Sequence, residues 1–168
     1  GGDGNDTLAG GKGNDFLAGG DGIDIYEYSI GDGVDQIEDS GTNTLVLHGI
    51  SPFALQLNLG SLELIDGRAG DAIHLDNFDP ENPAAGAGID TFVFDNGTVL
   101  SYAQLIARGF TFNGMPDADV IDGTGINDRI NALAGDDVVT AKGGNDTIDL
   151  SAGDDIADVG DGNDMGRI

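Results

Sequence analysis

Residues 114–167 divide into nonapeptides that read GMPDADVID, GTGINDRIN, ALAGDDVVT, AKGGNDTID, LSAGDDIAD and VGDGNDMGR. Each has an aspartate at its sixth position, so Asp119, Asp128, Asp137, Asp146, Asp155 and Asp164 recur at intervals of nine residues. In most of them an apolar residue stands two positions after this aspartate. A fixed short period with one apolar position is typical of a solenoid, in which each repeat stacks on its neighbours.

The same period occurs at the beginning of the sequence. Asp6, Asp15 and Asp24 lie nine residues apart, in the segments GGDGNDTLA, GGKGNDFLA and GGDGIDIYE. A fourth loop, residues 31–37, follows after a slip of two residues. The expected inward-facing residues are Leu8, Leu17, Tyr26, Ile37, Ile121, Ile130, Val139 and Ile148, with the weaker Ala157 and Gly166 at the end.

Composition limits the possible partners. The 168 residues include 27 Asp and 4 Glu against 6 Lys plus Arg, a net charge of -25. Nucleic acid is excluded as a partner because no basic patch could neutralise its phosphates, whereas a cation would relieve the self-repulsion of the chain. The absence of cysteine excludes disulfides and thiolate metal sites. No apolar stretch is long enough to predict a membrane span, and residues 1–4 lack the features of a signal peptide.

The repeat G-G-x-G-x-D-x-U-x resembles the RTX (repeats-in-toxin) calcium-binding nonapeptide. The resemblance implies a parallel β-roll with two nonapeptides per coil, in which every second loop stacks on the same side. A loop would supply its second and fourth carbonyls and its Asp to Ca²⁺, and the loop stacked on it would supply its first and third carbonyls and its Asp. Oxygen ligands of this kind suit Ca²⁺, which accepts about 6–8 of them.

Carried onto this sequence, the pattern implies about two ions in the first block and about four in the second, about six in all. Gly2, Gly4 and Asp6 would share an ion with Gly19, Asp21 and Asp24, and Lys142, Gly144 and Asp146 would share one with Val159, Asp161 and Asp164. The other implied ligands are Gly11, Gly13, Asp15, Asp32, Asp35, Asp119, Thr124, Ile126, Asp128, Ala132, Leu133, Ala134, Gly135, Asp137, Ala141, Gly143, Leu150, Ala152 and Asp155. The least regular loops are those in which Met115, Pro116, Asp117 and Ile126 depart from the pattern, together with the loop at Asp35, which follows the slip.

Residues 38–112 interrupt the repeat and contain only 7 of the 27 Asp. Apolar residues predict strands at Leu45–Leu47, in the stretch 55–65 that includes Leu59, at Ile73 and Leu75, and at Phe92–Phe94. Asp95-Asn96-Gly97-Thr98 predicts a hairpin turn, and Ser101 predicts the cap of a short helix over 102–108 that ends at Gly109. This order resembles the β-rich segment found between RTX blocks, which implies a folded cap.

The expected architecture is therefore all-β, with two parallel β-roll blocks flanking a β-rich segment that carries one short helix. We expect the first block at residues 1–37, the capping segment at 38–112 and the second block at 113–168.

Catalytic signatures are absent from the sequence. His48 and His74 do not form a zinc-binding HExxH motif, and no nucleophile elbow or phosphate-binding glycine loop occurs. Asp79-Pro80 is a bond type at which some RTX proteins cleave themselves, but its surroundings indicate an ordinary loop. We therefore expect a non-enzymatic protein.

The resemblance implies a secreted, monomeric module that folds on meeting extracellular calcium. It would belong to a larger toxin, adhesin or exoenzyme exported by type I secretion. The alternative is a binding module whose middle β segment recognises a cell surface or carbohydrate, and glycan binding would distinguish the two.

Overall fold

The computed structural model describes residues 1–58 and 62–167. The chain forms two compact units. The first unit contains Gly1–Asp79 and Ala84–Leu105, and the second contains Pro80–Pro83 and Ile106–Ile168. Both units are almost entirely β-structure, and the described residues contain a single short α-helix. The prediction of an all-β, parallel β-roll fold is confirmed.

The first unit is built on two sheets of short strands. Its strands are β1 (Gly2–Asp3), β2 (Thr7–Ala9), β3 (Phe16–Leu17), β4 (Gly20–Asp21), β5 (Ile25–Ser29), β6 (Val34–Ile37), β7 (Thr44–His48), β8 (Gln56–Asn58), β9 (Leu62–Ile65), β10 (Ala72–Leu75), β11 (Thr91–Phe94) and β12 (Val99–Ser101). One sheet has the order β12-β11-β7-β5-β2 and the other has the order β3-β6-β10-β9-β8, while β1 pairs with β4.

Parallel pairing follows the coil of two nonapeptides that the resemblance implies. Thr7 on β2 pairs with Ile25 on β5, eighteen residues later. Phe16 on β3 pairs with Gln36 on β6, twenty residues later, because the two-residue slip lengthens this coil. Successive coils therefore place one sixth-position aspartate above another.

The middle segment continues both sheets of the first unit and then closes them. β7 and β11 extend one sheet in parallel, and β10 extends the other beside β6. The outermost strands are antiparallel, with β12 beside β11, and β9 and β8 beyond β10. Such strands cover a roll end that would otherwise expose backbone groups and core. The predicted strands in the middle segment are confirmed, except that Leu59 lies outside the described residues.

A hairpin is followed by a capped helix, and the first unit ends within that helix at Leu105. The turn predicted at Asp95–Thr98 joins β11 to β12, with Gly97 at a φ of 82°. Ser101 caps α1 (Tyr102–Ile106): its hydroxyl accepts a hydrogen bond from the Gln104 N–H, and its own N–H donates to Gln104 Oε1. The predicted end of the helix at residue 108 is wrong by two residues, because the Gly109 N–H turns back to the Ile106 carbonyl.

The second unit is a regular parallel roll. Its strands are β13 (Phe110–Asn113), β14 (Val120–Asp122), β15 (Asp128–Asn131), β16 (Val138–Thr140), β17 (Thr147–Asp149), β18 (Ile156–Asp158) and β19 (Met165–Arg167). They form sheets with the orders β13-β15-β17-β19 and β14-β16-β18, in which partners are eighteen residues apart.

Its core contains the predicted inward residues and three that occupy first loop positions. The buried cluster is Ile121, Ile130, Ala132, Val139, Ala141, Ile148 and Leu150, with Phe112 packed against it. The final inward positions, Ala157 and Gly166, are exposed.

The described residues include no helix that is long and apolar enough to cross a membrane. The division of the chain at residues 37 and 112 stays a prediction.

Candidate metal centre

Hydrogen bonds connect the sixth-position aspartates of stacked loops. We call these residues the Asp ladder: Asp6, Asp15, Asp24, Asp35, Asp119, Asp128, Asp137, Asp146, Asp155 and Asp164. In each stacked pair, the backbone N–H of the aspartate that comes first in the sequence donates to Oδ1 of the aspartate one coil later. The distances are 2.7 Å for Asp6 to Asp24, 3.0 Å for Asp15 to Asp35, 2.9 Å for Asp119 to Asp137, 2.7 Å for Asp128 to Asp146, 3.0 Å for Asp137 to Asp155 and 2.9 Å for Asp146 to Asp164.

The second carboxylate oxygen of many ladder residues is buried without a hydrogen-bond donor. This is true of Oδ2 in Asp15, Asp24, Asp35, Asp137 and Asp146. Among them Asp24 and Asp137 are fully buried, and Asp35 and Asp146 are each 1% exposed. A buried charged oxygen without a partner is costly, whereas a coordinated cation would satisfy it. The ladder therefore fits a bound cation.

The first glycine of several loops makes room for this carboxylate. A Cβ at Gly1 would lie 2.2 Å from Asp6 Oδ2, and one at Gly19 would lie 2.2 Å from Asp24 Oδ2. In three other loops, the corresponding distances are 2.9 Å from Gly10 to Asp15 Oδ2, 2.6 Å from Gly114 to Asp119 Oδ2 and 2.8 Å from Gly123 to Asp128 Oδ2. A side chain at these positions would displace the oxygen, so the first glycine is explained by close approach.

Carbonyls implied as ligands face the neighbouring loop. The Gly19 and Asp21 carbonyls accept hydrogen bonds from the N–H groups of Gly2 and Gly4, at 2.7 and 2.6 Å. Later loops show the same contact, in which a backbone N–H donates to an implied carbonyl ligand. The donor and acceptor residues are Gly13 and Asp32, Gly135 and Ala152, Gly144 and Asp161, Ala152 and Leu133, and Asp161 and Lys142. A carbonyl has two lone pairs, so one hydrogen bond leaves a second lone pair for a cation.

The second loop position is left-handed in three loops where it is not glycine, although not at Met115 or Thr124. Leu133, Lys142 and Ser151 have φ values of 76°, 72° and 61°. Gly2 and Gly11 occupy this position in the first block, also with positive φ. Since a non-glycine residue in this region is strained, the loop conformation is imposed by the roll and not by local preference.

Two loops at the start of the second unit satisfy their own carboxylates. Thr124, fully buried, donates its N–H and its hydroxyl to Asp128 Oδ2, at 2.7 and 3.0 Å. The Met115 N–H donates to Asp119 Oδ2 at 2.5 Å. These are the irregular loops of the sequence, and their aspartates already have donors from within the loop.

Asn43 replaces aspartate in the ladder of the first unit. Its Oδ1 accepts the Asp24 N–H at 2.8 Å, and its Nδ2 donates to the Gly88 carbonyl at 2.8 Å and to the Ser40 carbonyl at 3.4 Å. Both polar atoms of this neutral amide thus have a hydrogen-bond partner without a cation. Sequence reasoning missed this residue because nineteen residues, not eighteen, separate it from Asp24.

The remaining implied ligands lie in the stacked loops. Bridges join Ala134 to Ala152 and Gly143 to Asp161 in stacked loops of the second unit. Gly135 and Gly144 have positive φ at the fourth position, whereas Ile126 does not. Ala132, Ala141 and Leu150 bury their side chains in the core, and Val159 is 39% exposed. The assignment of all these residues as ligands stays a prediction.

Side chains alone do not supply enough ligands for a metal site. Among the described residues, no group of three or more His, Cys, Asp or Glu side chains forms a metal cluster. Each loop contributes one ladder carboxylate, so backbone carbonyls would have to complete the coordination shell. Burial raises the pKa of Asp35 and of Asp146 above the ordinary carboxyl value, as expected for anionic groups that have left water without a cation.

The two histidines lie on different sheets, and each contacts a carboxylate. His48 Nδ1 lies 2.8 Å from Asp95 Oδ1, and His74 Nε2 lies 3.7 Å from Glu63 Oε1. These contacts fit ordinary polar surface residues.

The geometry defines a class: a parallel β-roll whose stacked, glycine-rich loops present carboxylate and carbonyl oxygens that fit a cation. The family model for the RTX calcium-binding nonapeptide repeat matches residues 1–26, 113–148 and 134–165. The model for the haemolysin-type calcium binding protein related domain matches residues 62–104. The chain belongs to the RTX calcium-binding repeat family, which is typical of secreted bacterial proteins and generally serves as a structural module. A search of curated proteins found no match to this chain.

Proposed function

We propose that this calcium-binding module is a folding switch, disordered at low calcium and ordered into a β-roll by extracellular calcium. The main supporting observation is the row of buried, unpartnered Oδ2 atoms along the Asp ladder. Without a cation these oxygens oppose folding, whereas with calcium they become ligands. The same atoms would therefore set the calcium dependence of the fold.

The free-energy balance of the roll favours such coupling. Ordering a residue costs about 1–2 kcal/mol of backbone entropy, and burying one large apolar side chain returns about 1.5–3 kcal/mol. With one or two inward apolar positions in each nonapeptide, the hydrophobic contribution is too small to order the loops. Metal binding can supply the difference, since a site that forms only in the folded state adds its binding free energy to folding.

Charge supports the same proposal. Six bound Ca²⁺ would reduce the net charge from -25 to -13. The second and fourth carbonyls of each loop, the first and third carbonyls of the loop stacked on it and the two ladder carboxylates would hold each ion. Calcium would supply the charge neutralisation that the chain lacks.

Far-UV circular dichroism during a calcium titration tests the proposal, with magnesium as the control. We expect a cooperative transition from coil to β-structure with calcium and little change with magnesium, which retains its waters and prefers octahedral geometry. A spectrum that is already rich in β-structure in chelator and unchanged by calcium would refute calcium-driven folding.

The cellular setting follows from the same switch. A chain that stays unfolded at low cytoplasmic calcium could pass a type I secretion channel and fold outside the cell as a monomeric, non-catalytic part of a larger protein. Calcium-dependent appearance of the folded chain in the medium of a secreting strain would test this. Accumulation of a folded chain inside the cell would contradict it.

Aromatic burial gives no support to the carbohydrate-binding alternative. Phe92, Phe94 and Phe110 are at most 2% exposed, and they serve the cores of their units. Phe53, which is 94% exposed, is the most accessible aromatic side chain of the middle segment.

A further inference from the structure

Asp39 lies outside the nonapeptide pattern, yet its side chain meets the Asp ladder. It follows β6 by two residues and is 6% exposed. Asp24, the ladder residue beside it, is fully buried. Two carboxylates thus approach each other where the repeats pass into the middle segment.

The two carboxylate oxygens converge on one space beside Gly19. A Cβ on Gly19 would lie 2.2 Å from Asp24 Oδ2 and 2.5 Å from Asp39 Oδ2. Because both carboxylate oxygens lie this close to one position, the distance between them is no greater than the distance between two oxygen ligands of one calcium ion. The Ca–O bonds of such an ion measure about 2.3–2.6 Å. Gly19 leaves that space open.

The protein supplies too few donors for this pair of charges. Asp24 Oδ1 accepts the Asp6 N–H at 2.7 Å, but Asp24 Oδ2 has no partner. Asp39 Oδ1 accepts the Ser40 N–H at 2.7 Å, and Asp39 Oδ2 accepts the Tyr26 hydroxyl. The Tyr26 hydroxyl also accepts the Gly19 N–H at 2.7 Å, so it is held in place on both sides.

Asn43 leaves the level of the roll next to Asp24 without a second ladder carboxylate. At the ladder position one coil after Asp24, Asn43 uses its amide oxygen for the Asp24 N–H and its amide nitrogen for two carbonyls. It therefore brings no negative charge to this level of the roll.

We propose that Asp24 Oδ2 and Asp39 Oδ2 bind a calcium ion at this junction, with Asp39 supplying the carboxylate that Asn43 lacks. The inference rests on the proposed calcium-driven folding and adds a ligand from outside the repeat. Backbone carbonyls of the 19–24 and 38–43 loops are the available oxygens to complete the shell. Calcium fits because every donor is oxygen and two are anionic.

The test counts bound calcium by equilibrium dialysis in the wild type, in Asp39→Asn and in Asp122→Asn. Asp122 is exposed on β14, so its substitution removes the same charge without touching a loop carboxylate. We expect Asp39→Asn to bind one ion fewer per chain and Asp122→Asn to bind as many as the wild type. An unchanged count in Asp39→Asn would overturn the inference while leaving the calcium module intact, whereas a wild type that binds no calcium would overturn both.

A second measurement needs no variant. Crystals of the wild type grown with terbium would show an anomalous peak between Asp24 and Asp39, in addition to peaks along the ladder. Peaks in the ladder loops alone would overturn the inference, even if Asp39→Asn failed to fold.

Discussion

Replacing Asp146 with asparagine separates the two roles of a ladder carboxylate. Asp146 is 1% exposed, and its Oδ1 accepts the Asp128 N–H at 2.7 Å. Its Oδ2 has no hydrogen-bond partner. Asparagine retains an oxygen for the backbone bond and removes the charge, so the substitution chiefly affects cation binding.

Whether Asp146→Asn destabilises or stabilises the fold should depend on calcium. When calcium is at 100 times the dissociation constant of a site, its binding stabilises the fold by about 2.7 kcal/mol. Losing that ion should lower the folding equilibrium constant about 100-fold. In chelator the order of stability of the wild type and Asp146→Asn reverses, because a buried unpartnered polar group costs about 1–3 kcal/mol, and more when charged. The neutral amide should then make Asp146→Asn easier to fold than the wild type.

The assay combines two titrations followed by far-UV circular dichroism. Calcium titration should show a higher midpoint and a shallower transition for Asp146→Asn than for the wild type. In chelator, an osmolyte that favours burial should fold the variant at a lower concentration than it folds the wild type. Asp122→Asn is the matched control, because it removes an exposed carboxylate. Equal destabilisation of Asp146→Asn with and without calcium would refute the reasoning and make the ladder a purely structural feature.

Three further predictions concern single contacts. Thr124→Val should destabilise the calcium-loaded protein by about 1–3 kcal/mol in chemical denaturation, because buried Asp128 loses a hydroxyl donor; a loss equal to that of Thr124→Ser would contradict this. Ser151→Gly should stabilise the protein by up to about 1 kcal/mol by relieving the left-handed strain at a φ of 61°, whereas Ser151→Ala should not. The Gly49 N–H and His48 hold the pKa of Asp95 below 3.8, so its contribution to stability is present above 3.8 and is lost as the pH falls through the lowered value. Carboxyl-carbon NMR should show this, with a partial rise of the pKa in His48→Ala; a wild-type pKa at or above 3.8 would contradict it.

The regular part of the fold was predictable because one period specifies both strands and loops. An aspartate every nine residues, followed by an inward residue such as Ile130 or Ile148, identified the repeat, and its resemblance to the RTX nonapeptide implied the parallel coils of eighteen residues. The turn at Gly97 and the cap at Ser101 were also predictable, since each depends on local chemistry. These signals act over a few residues, so they can be read without knowing what packs against them.

The irregular contacts were not predictable because they depend on partners distant in the sequence. Asn43 bonds to Gly88, forty-five residues later, and Asp39 meets Asp24 across a coil of changed length. Neither position repeats at the interval of nine. Within one loop, the hydrogen bonds from Thr124 to Asp128 could have been predicted, because a hydroxyl four residues before an aspartate is within reach of its carboxylate.

The distribution of satisfied and unsatisfied carboxylates suggests how folding would proceed. In the second unit, Asp119 and Asp128 receive donors from their own loops, whereas Asp137 and Asp146 each leave an oxygen without one. The first two loops can therefore close without a cation, whereas the loops at Asp137 and Asp146 need calcium to cancel their buried charge. Because each Asp N–H bonds to the next aspartate of its stack, a loop that closes positions the carboxylate that must bind the next ion. Calcium-driven folding of this unit should consequently spread from the loops at Asp119 and Asp128 toward those at Asp155 and Asp164.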